Sequence, residues 1–274
     1  MTVEDIKKPV KEEMAMFEKK FKLAMKSDVA LLDKITHYII KRKGKQLRPL
    51  FVFLSAKMFG EEEDFLKYST LAKLIKEKIN SLYFNPKTSI YGSGFQTELS
   101  TALFWGIVPE EHKEKVTLNL KRRVILDNSH IDVGLLGSKT ILNALSENGY
   151  ADLAYKLATQ EDFPSWGAWI KSGATTLFED WKVDESRKGA MSRNHIMFGE
   201  ISAWFYKALG GIKPDSQNPG FKNILLEPHF VEGLESFSAK HNGPFGEIIS
   251  SWEKNNGVVD YQVTVPPNST ASLT

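Results

Sequence analysis

The amino-acid sequence predicts a mainly α-helical chain that ends in antiparallel β structure. Three observations carry this. Apolar residues recur three and four apart from Met14 to about Leu209, and short Gly, Pro and Asp loops join the segments they define. After Gly210-Gly211 the pattern changes to short β-rich runs between turn clusters. A helical part followed by a strand part is the signature of segregated α and β layers.

Taken in order, Met14, Phe17, Phe21 and Met25 define an amphipathic helix over residues 10–26. Ser27-Asp28 offers an N-cap for a second helix over 29–41, and Gly44 breaks it. Pro49 suits the first turn of a third helix, 50–59, which is apolar nearly all round and so expected to be buried. Gly60 and the run Glu61-Glu62-Glu63-Asp64 make a junction. From Phe65 the helical pattern resumes until Asn85-Pro86 and Tyr91-Gly92-Ser93-Gly94 interrupt it. Further helices read at about 95–106, 110–126, 134–147, 149–160 and 195–209, in an αα-hairpin rhythm. Strands read at 221–230, 247–252 and 258–265, split by Asn242-Gly243-Pro244 and Asn255-Asn256-Gly257. Pro266-Pro267-Asn268-Ser269-Thr270-Ala271 stands where another strand should begin. Trp105, Trp204 and Trp252 sit at helix or strand positions and are expected in the core.

Composition narrows the function classes. With 42% hydrophobic and 26% charged residues the chain reads as a soluble globular protein with no membrane span. The start, MTVEDIKKPVKEEM, lacks the apolar stretch of a secretory signal, and the compartment stays open. Cysteine is absent, which excludes disulfides, thiolate metal sites and a thiol nucleophile. His37, His112, His229 and His241 form no metal-ligand spacing, so no metal or other cofactor is expected. Charge is unevenly spread. Residues 1–60 hold 14 Lys or Arg against 7 Asp or Glu, whereas the remainder holds 22 against 27. Such a split suggests two segments with different partners; its ordinary reading is a solvated, lysine-rich helix face. Nothing in it points to nucleic acid.

In the basic segment, Gly44-Lys45-Gln46-Leu47-Arg48-Pro49 places two cations three residues apart around a glycine turn at a helix start. A bend of this kind lets backbone N–H groups and the helix dipole meet an anion, with Lys45 and Arg48 as its charged partners. Basic turns are also common on plain surfaces. Residues 4–60, through Leu31-Leu32-Asp33, this turn and Phe51-Val52-Phe53-Leu54-Ser55-Ala56-Lys57, resemble the N-terminus of the trans-polyprenyl diphosphate synthases, the octaprenyl type in particular. The resemblance implies that Lys45 and Arg48 bind isopentenyl diphosphate. The family's aspartate-rich Mg²⁺ motifs have no counterpart, since no DDxxD pattern occurs, and prenyl transfer is therefore not expected.

The densest aromatic and polar region is Phe163 to Trp169, followed by Gly173-Ala174-Thr175-Thr176-Leu177-Phe178-Glu179-Asp180-Trp181 and Ser192-Arg193-Asn194-His195. Inverting glycoside hydrolysis needs a protonated carboxylic acid and a carboxylate that activates water, on opposite sides of the sugar. Glu179, with aromatics on both sides, is the candidate carboxylate. The alternative is a surface glutamate on a loop anchored by buried tryptophans. His195, beside Met197 and Phe198, reads by itself as a structural histidine. His130 and Asp132 are weaker site candidates.

Residues 66–271 resemble the bacterial inverting α-L-rhamnosidases, through Tyr91-Gly92-Ser93-Gly94-Phe95-Gln96-Thr97, Gly106-Ile107-Val108-Pro109-Glu110-Glu111, Gly134-Leu135-Leu136-Gly137, Pro164-Ser165-Trp166-Gly167, the Gly173–Trp181 block, Arg193-Asn194-His195 and Pro219-Gly220-Phe221-Lys222. The resemblance implies a partial (α/α)₆ six-hairpin toroid followed by a truncated β-sandwich, and a rhamnose-containing carbohydrate as partner. It makes Glu179 the general base and His195, Asn194, Trp166 and Trp181 substrate contacts. Phe178 departs from the tryptophan or tyrosine often found there. Relatives of this kind are often periplasmic.

Three parts are expected: a helical segment at 1–60, a partial toroid at 61–212 and a β part at 213–274. The half of the toroid that would carry the general acid has no counterpart here, so hydrolysis is expected to be impaired. Glu98, Glu110, Asp127 and Asp132 are the first places to look for a substitute acid. Helix faces such as Leu71/Leu74/Ile75 and Ile141/Leu142/Leu145 are expected to lack neighbours and to drive self-association. Glu179 and His195 are expected on one concave rim.

Overall fold

A computed structural model describes residues 7–24, 55, 62–182 and 192–274. The expected helices over 29–41 and, apart from Ser55, 50–59, and with them Lys45 and Arg48, lie outside these residues. The chain divides into two compact units, Met1–Lys78 and Ile79–Thr274.

In the first unit a short 3₁₀ turn, Lys8–Val10, with its proline at the start, leads into α1, Lys11–Ala24. Val10 and Met14 are buried, and Phe17 stacks on Phe21 at 5.5 Å, one helical turn on. α2, Glu62–Tyr83, spans the division between the units. The acidic run expected as a junction thus falls mostly in its first turn. Leu71, Leu74 and Ile75 on this helix are exposed, at 41, 56 and 50%.

The second unit opens on a two-stranded ribbon, β1 (Phe84–Asn85) paired with β2 (Ile90–Tyr91), where the Asn85-Pro86 interruption was expected. Then follow α3 (Gln96–Phe104), α4 (Lys113–Leu126), α5 (Leu135–Glu147), α6 (Ala151–Ala158) and α7 (Trp166–Lys171). The helix expected over 195–209 is three joined pieces: a 3₁₀ turn Ile196–Gly199, α8 (Glu200–Trp204) and a π turn Phe205–Leu209. α5 is the central element, packed against α3, α6 and α8. Ile141, Leu142 and Leu145 on α5 are therefore fully buried, and the expectation that they lack neighbours is corrected. Trp105 is also corrected: it follows α3 and is 60% exposed, whereas Trp204 and Trp252 are in the core. Among the described residues no helix is long and apolar enough to cross a membrane.

After Gly211 the chain forms two three-stranded sheets. In one, β4 (Asn223–Leu226) lies between β3 (Ile212–Pro214), antiparallel, and β8 (Thr270–Leu273), parallel. In the other, β5 (Ser236–Gly243), β6 (Gly246–Asn255) and β7 (Val258–Thr264) form an antiparallel meander. A strand does begin where the sequence placed one, at Thr270, and one expectation changes: the β part holds one parallel pair. Along β6, Ile248, Ser250 and Trp252 are buried at a period of two, so one face meets the core. Trp252 donates its indole N–H to Leu209 O at 2.8 Å, and Ser250 donates its hydroxyl to Gly210 O at 2.5 Å. These bonds fasten the meander to the end of the helical layer. Gly211, at φ +67°, makes the tight passage between them, because a Cβ there would overlap the backbone of Glu227 and Pro228.

Candidate active site

The residues named from the sequence assemble from two chain segments. Glu179 donates its backbone N–H to Ser192 O at 2.9 Å, and His195 donates its own to Leu177 O at 2.8 Å. The Thr176 hydroxyl donates to Arg193 O. Residues 176–179 and 192–195 thus run side by side, which brings Glu179 and His195 into one structure. The Ser192 N–H also donates to Glu179 Oε2 at 2.9 Å. Among the described residues, this backbone donor is the partner the Glu179 carboxylate has. Both Glu179 and His195 are half-buried and Asn194 is exposed. His195 Nδ1 accepts the Met197 N–H at 3.4 Å, which places the ring proton on Nε2 as a hydrogen-bond donor.

Trp166 and Trp181 lie beneath this pair of segments and do not line it. They are 6 and 9% exposed, inside an aromatic cluster with Trp169 and Phe198. Trp181 stacks on Trp169 at 4.6 Å and meets Trp166 edge-on at 5.0 Å. Each indole N–H is committed to a backbone carbonyl: Trp166 to Phe198 at 3.1 Å, Trp169 to Trp181 at 3.0 Å, Trp181 to Val133 at 2.7 Å. Their side chains have no donor left for a ligand. Phe178 leans on Trp169 at 5.6 Å, and the Arg193 guanidinium lies 5.8 Å from its ring.

Of the other nominated carboxylates, Glu98 and Asp127 have firm structural partners, and Glu110 lines a cavity. Glu98 accepts the Ser93 and Phe95 N–H groups at 3.0 and 2.9 Å and caps α3. Asp127 takes a two-pronged bond from Arg123 at 2.8 and 2.7 Å. Asp132 is exposed, 3.9 Å from the same guanidinium. His130 sits 2.7 Å from Asp162, whose carboxyl this contact holds below its ordinary range. A cavity of about 330 Å³, lined by Glu110, Lys113, Glu114, Thr117, Asn148 and Tyr150, does not include Glu179 or His195. Of its lining, the sequence singled out Glu110 alone; Asn148 and Tyr150 come from the turn between α5 and α6, which no local pattern ties to 110–117. Among the described residues no cluster of His, Asp and Glu is built to hold a metal ion.

A helical-hairpin layer that bears one loop-held glutamate and passes directly into a β domain defines a six-hairpin glycosidase type of protein. Residues 51–209 match the bacterial alpha-L-rhamnosidase 6 hairpin glycosidase domain, and residues 211–274 match the bacterial alpha-L-rhamnosidase C-terminal domain. The chain belongs to the bacterial α-L-rhamnosidase family. It is 33% identical over 224 residues to an alpha-L-rhamnosidase of Formosa agariphila, covering 80% of this chain and 24% of that one. An Alteromonas alpha-L-rhamnosidase is 31% identical over 220 residues, covering 78% and 24%. The solved alpha-L-rhamnosidase from Dictyoglumus thermophilum superposes with a TM-score of 0.73 at 33% identity, over 84% of this chain and 27% of that chain. The Streptomyces avermitilis enzyme, solved with L-rhamnose, gives 0.71 at 25%, over 80% and 21%. The chain thus spans about a quarter of the relatives it matches. The first match begins at residue 51, so Phe51–Lys57, read above with the basic segment, fall within it as well.

Proposed function

We propose that this chain is the base-bearing portion of an α-L-rhamnosidase, which binds a terminal α-L-rhamnose and is impaired in hydrolysis by itself. The pairing of residues 176–179 with 192–195 carries the reading, because it joins a half-buried carboxylate to an imidazole donor. Glu179 is the water-activating base, His195 Nε2–H and Asn194 are hydroxyl contacts, and Trp166 and Trp181 support the loop from below. Inversion also requires a carboxylic acid across the sugar, roughly 6.5–9.5 Å from the base. Glu98 and Asp127 are engaged in capping and in the Arg123 fork, which supports impaired turnover. Isothermal titration with L-rhamnose tests the proposal. Binding that weakens by about tenfold in His195→Ala, the worth of one hydrogen bond, is expected; no heat of binding would refute it.

Self-association through the exposed Leu71, Leu74 and Ile75 face belongs to the same reading. A second reading concerns the N-terminal segment, derived from a polyprenyl diphosphate synthase and holding a diphosphate at Lys45 and Arg48. It rests on the Gly44–Pro49 turn, and titration with isopentenyl diphosphate against a Lys45→Ala/Arg48→Ala variant tests it.

A further inference from the structure

The block Tyr91–Thr97 enters the family resemblance without any chemistry of its own. Its sixth residue, Gln96, is fully buried at the start of α3 and uses every part of its amide. Its nitrogen donates to Asp127 Oδ2 at 2.8 Å and to His130 O at 2.9 Å, while its oxygen accepts the Asp132 N–H at 3.0 Å. One side chain therefore grips three positions of the link between α4 and α5. That link needs gripping: Asn128 and Ser129 both stand at positive φ, +55° and +58°, a conformation non-glycine residues seldom hold. Val133, the residue after Asp132, turns its carbonyl to the indole N–H of Trp181 at 2.7 Å. Trp181 is two residues from Glu179 and stacks within the cluster under the site. The Gly134–Gly137 block meets the same point, because a Cβ on Gly137 would stand 2.5 Å from the Val133 side chain and 2.6 Å from Thr97 Oγ1.

We propose that Gln96 is a positioning residue for Glu179, acting through the 127–133 link, the Val133 carbonyl and the Trp181 indole. Gln96 touches no reacting atom. By holding the link in its strained path it fixes where Val133 O lies, and so where Trp181 and the segment carrying Glu179 can settle. The mechanical part of the proposal rests on the hydrogen bonds alone; only its consequence for ligand binding rests on the reading of Glu179 and His195 as a rhamnose site.

The test uses the full chain labelled with ¹⁵N-tryptophan, and Gln96→Met, which keeps the volume and removes the amide. Exchange of the Trp181 indole proton should quicken about tenfold or more, the factor one hydrogen bond is worth. The indoles of Trp204 and Trp252, bonded to Ser146 Oγ and Leu209 O, serve as internal references and should not move. L-rhamnose affinity should fall about tenfold in Gln96→Met, and the same substitution should add little in a Trp181→Phe background, since both cut one chain of contacts. An unchanged Trp181 signal in folded Gln96→Met, or equal changes at all three indoles, would overturn the proposal. If Gln96→Met does not fold, Gln96→Glu is read the same way: it keeps the acceptor for Asp132, loses both donors, and should recover part of the Trp181 protection as acid protonation returns one donor. Absence of rhamnose binding by the unsubstituted chain would sink the site reading and leave the indole result to decide the positioning role.

Discussion

Glu179 and Ser192 exchange two hydrogen bonds, the Glu179 N–H to Ser192 O and the Ser192 N–H back to Glu179 Oε2, both at 2.9 Å. The pair fixes the carboxylate against the backbone rather than against another side chain. A base held in this way owes its orientation to a backbone contact that a glutamine also provides.

That equivalence makes Glu179→Gln a clean test. The variant should fold as the unsubstituted chain does and bind L-rhamnose within about threefold, because the amide oxygen still accepts from Ser192. The unsubstituted chain should hydrolyse an aryl α-L-rhamnoside at or near background. A general base is worth roughly 10²–10⁴ in rate, so turnover above background that persists in Glu179→Gln would remove Glu179 from the role. Turnover that vanishes in the variant would keep the base and show that an acid is present.

Gly211→Ala should destabilise the protein by about 2–4 kcal/mol, since it combines a left-handed backbone with steric overlap. At φ +67° an alanine is strained, and its Cβ would meet the backbone of Glu227 and Pro228. Chemical denaturation followed by Trp fluorescence checks it. A loss under about 0.5 kcal/mol would show that the helix-to-sheet passage is not rigid.

Much of this architecture was legible because its signals are local. Helix periodicity, the Asn85-Pro86 break and the change of texture at Gly210-Gly211 each depend on neighbouring residues. Non-local partners were not legible. β8 pairs with β4, whose sequence lies 47 residues earlier at Asn223 and Thr270, and no pattern in 270–273 announces that partner. Trp105 and the Ile141, Leu142 and Leu145 face were misjudged for the same reason: burial depends on which helix lies in the middle. At the site, residue types pointed to Glu179 and His195. The commitment of the Trp166 and Trp181 indoles to backbone carbonyls is a matter of three-dimensional packing, so a tryptophan under a site and one lining it read alike.

Stability should fall as the solution is acidified below about pH 6.5, in part through His229. Burial, with Lys213 adding repulsion, holds its imidazole below the ordinary 6.5, against the opposing pull of Glu227 and Asp152. The folded state therefore favours the neutral ring. The unfolded chain takes up its proton first, so stability present above 6.5 is lost as pH drops toward the folded value. Urea midpoints compared at about pH 7.5 and about pH 5.5 should show a shallower loss in His229→Asn than in the unsubstituted chain. Parallel losses would show that His229 does not contribute.

The chain should self-associate through α2. Leu71, Leu74 and Ile75 lie three and four positions apart on that helix, on one side, at 41, 56 and 50% exposure. Leu66 on the same helix is 59% exposed but points away from this stripe, five residues before Leu71. Burying a leucine or isoleucine side chain is worth about 1.5–3 kcal/mol, so a stripe paired with its copy offsets much of the entropy lost on association. Light scattering at about 100 µM should give a mass above that of one chain. Replacing Leu74 and Ile75 with Glu and Lys should return it toward the monomer, with little cost in stability because both side chains face water already. A monodisperse monomer before substitution would count against the stripe as a contact surface, and association that survives both substitutions would place the contact elsewhere.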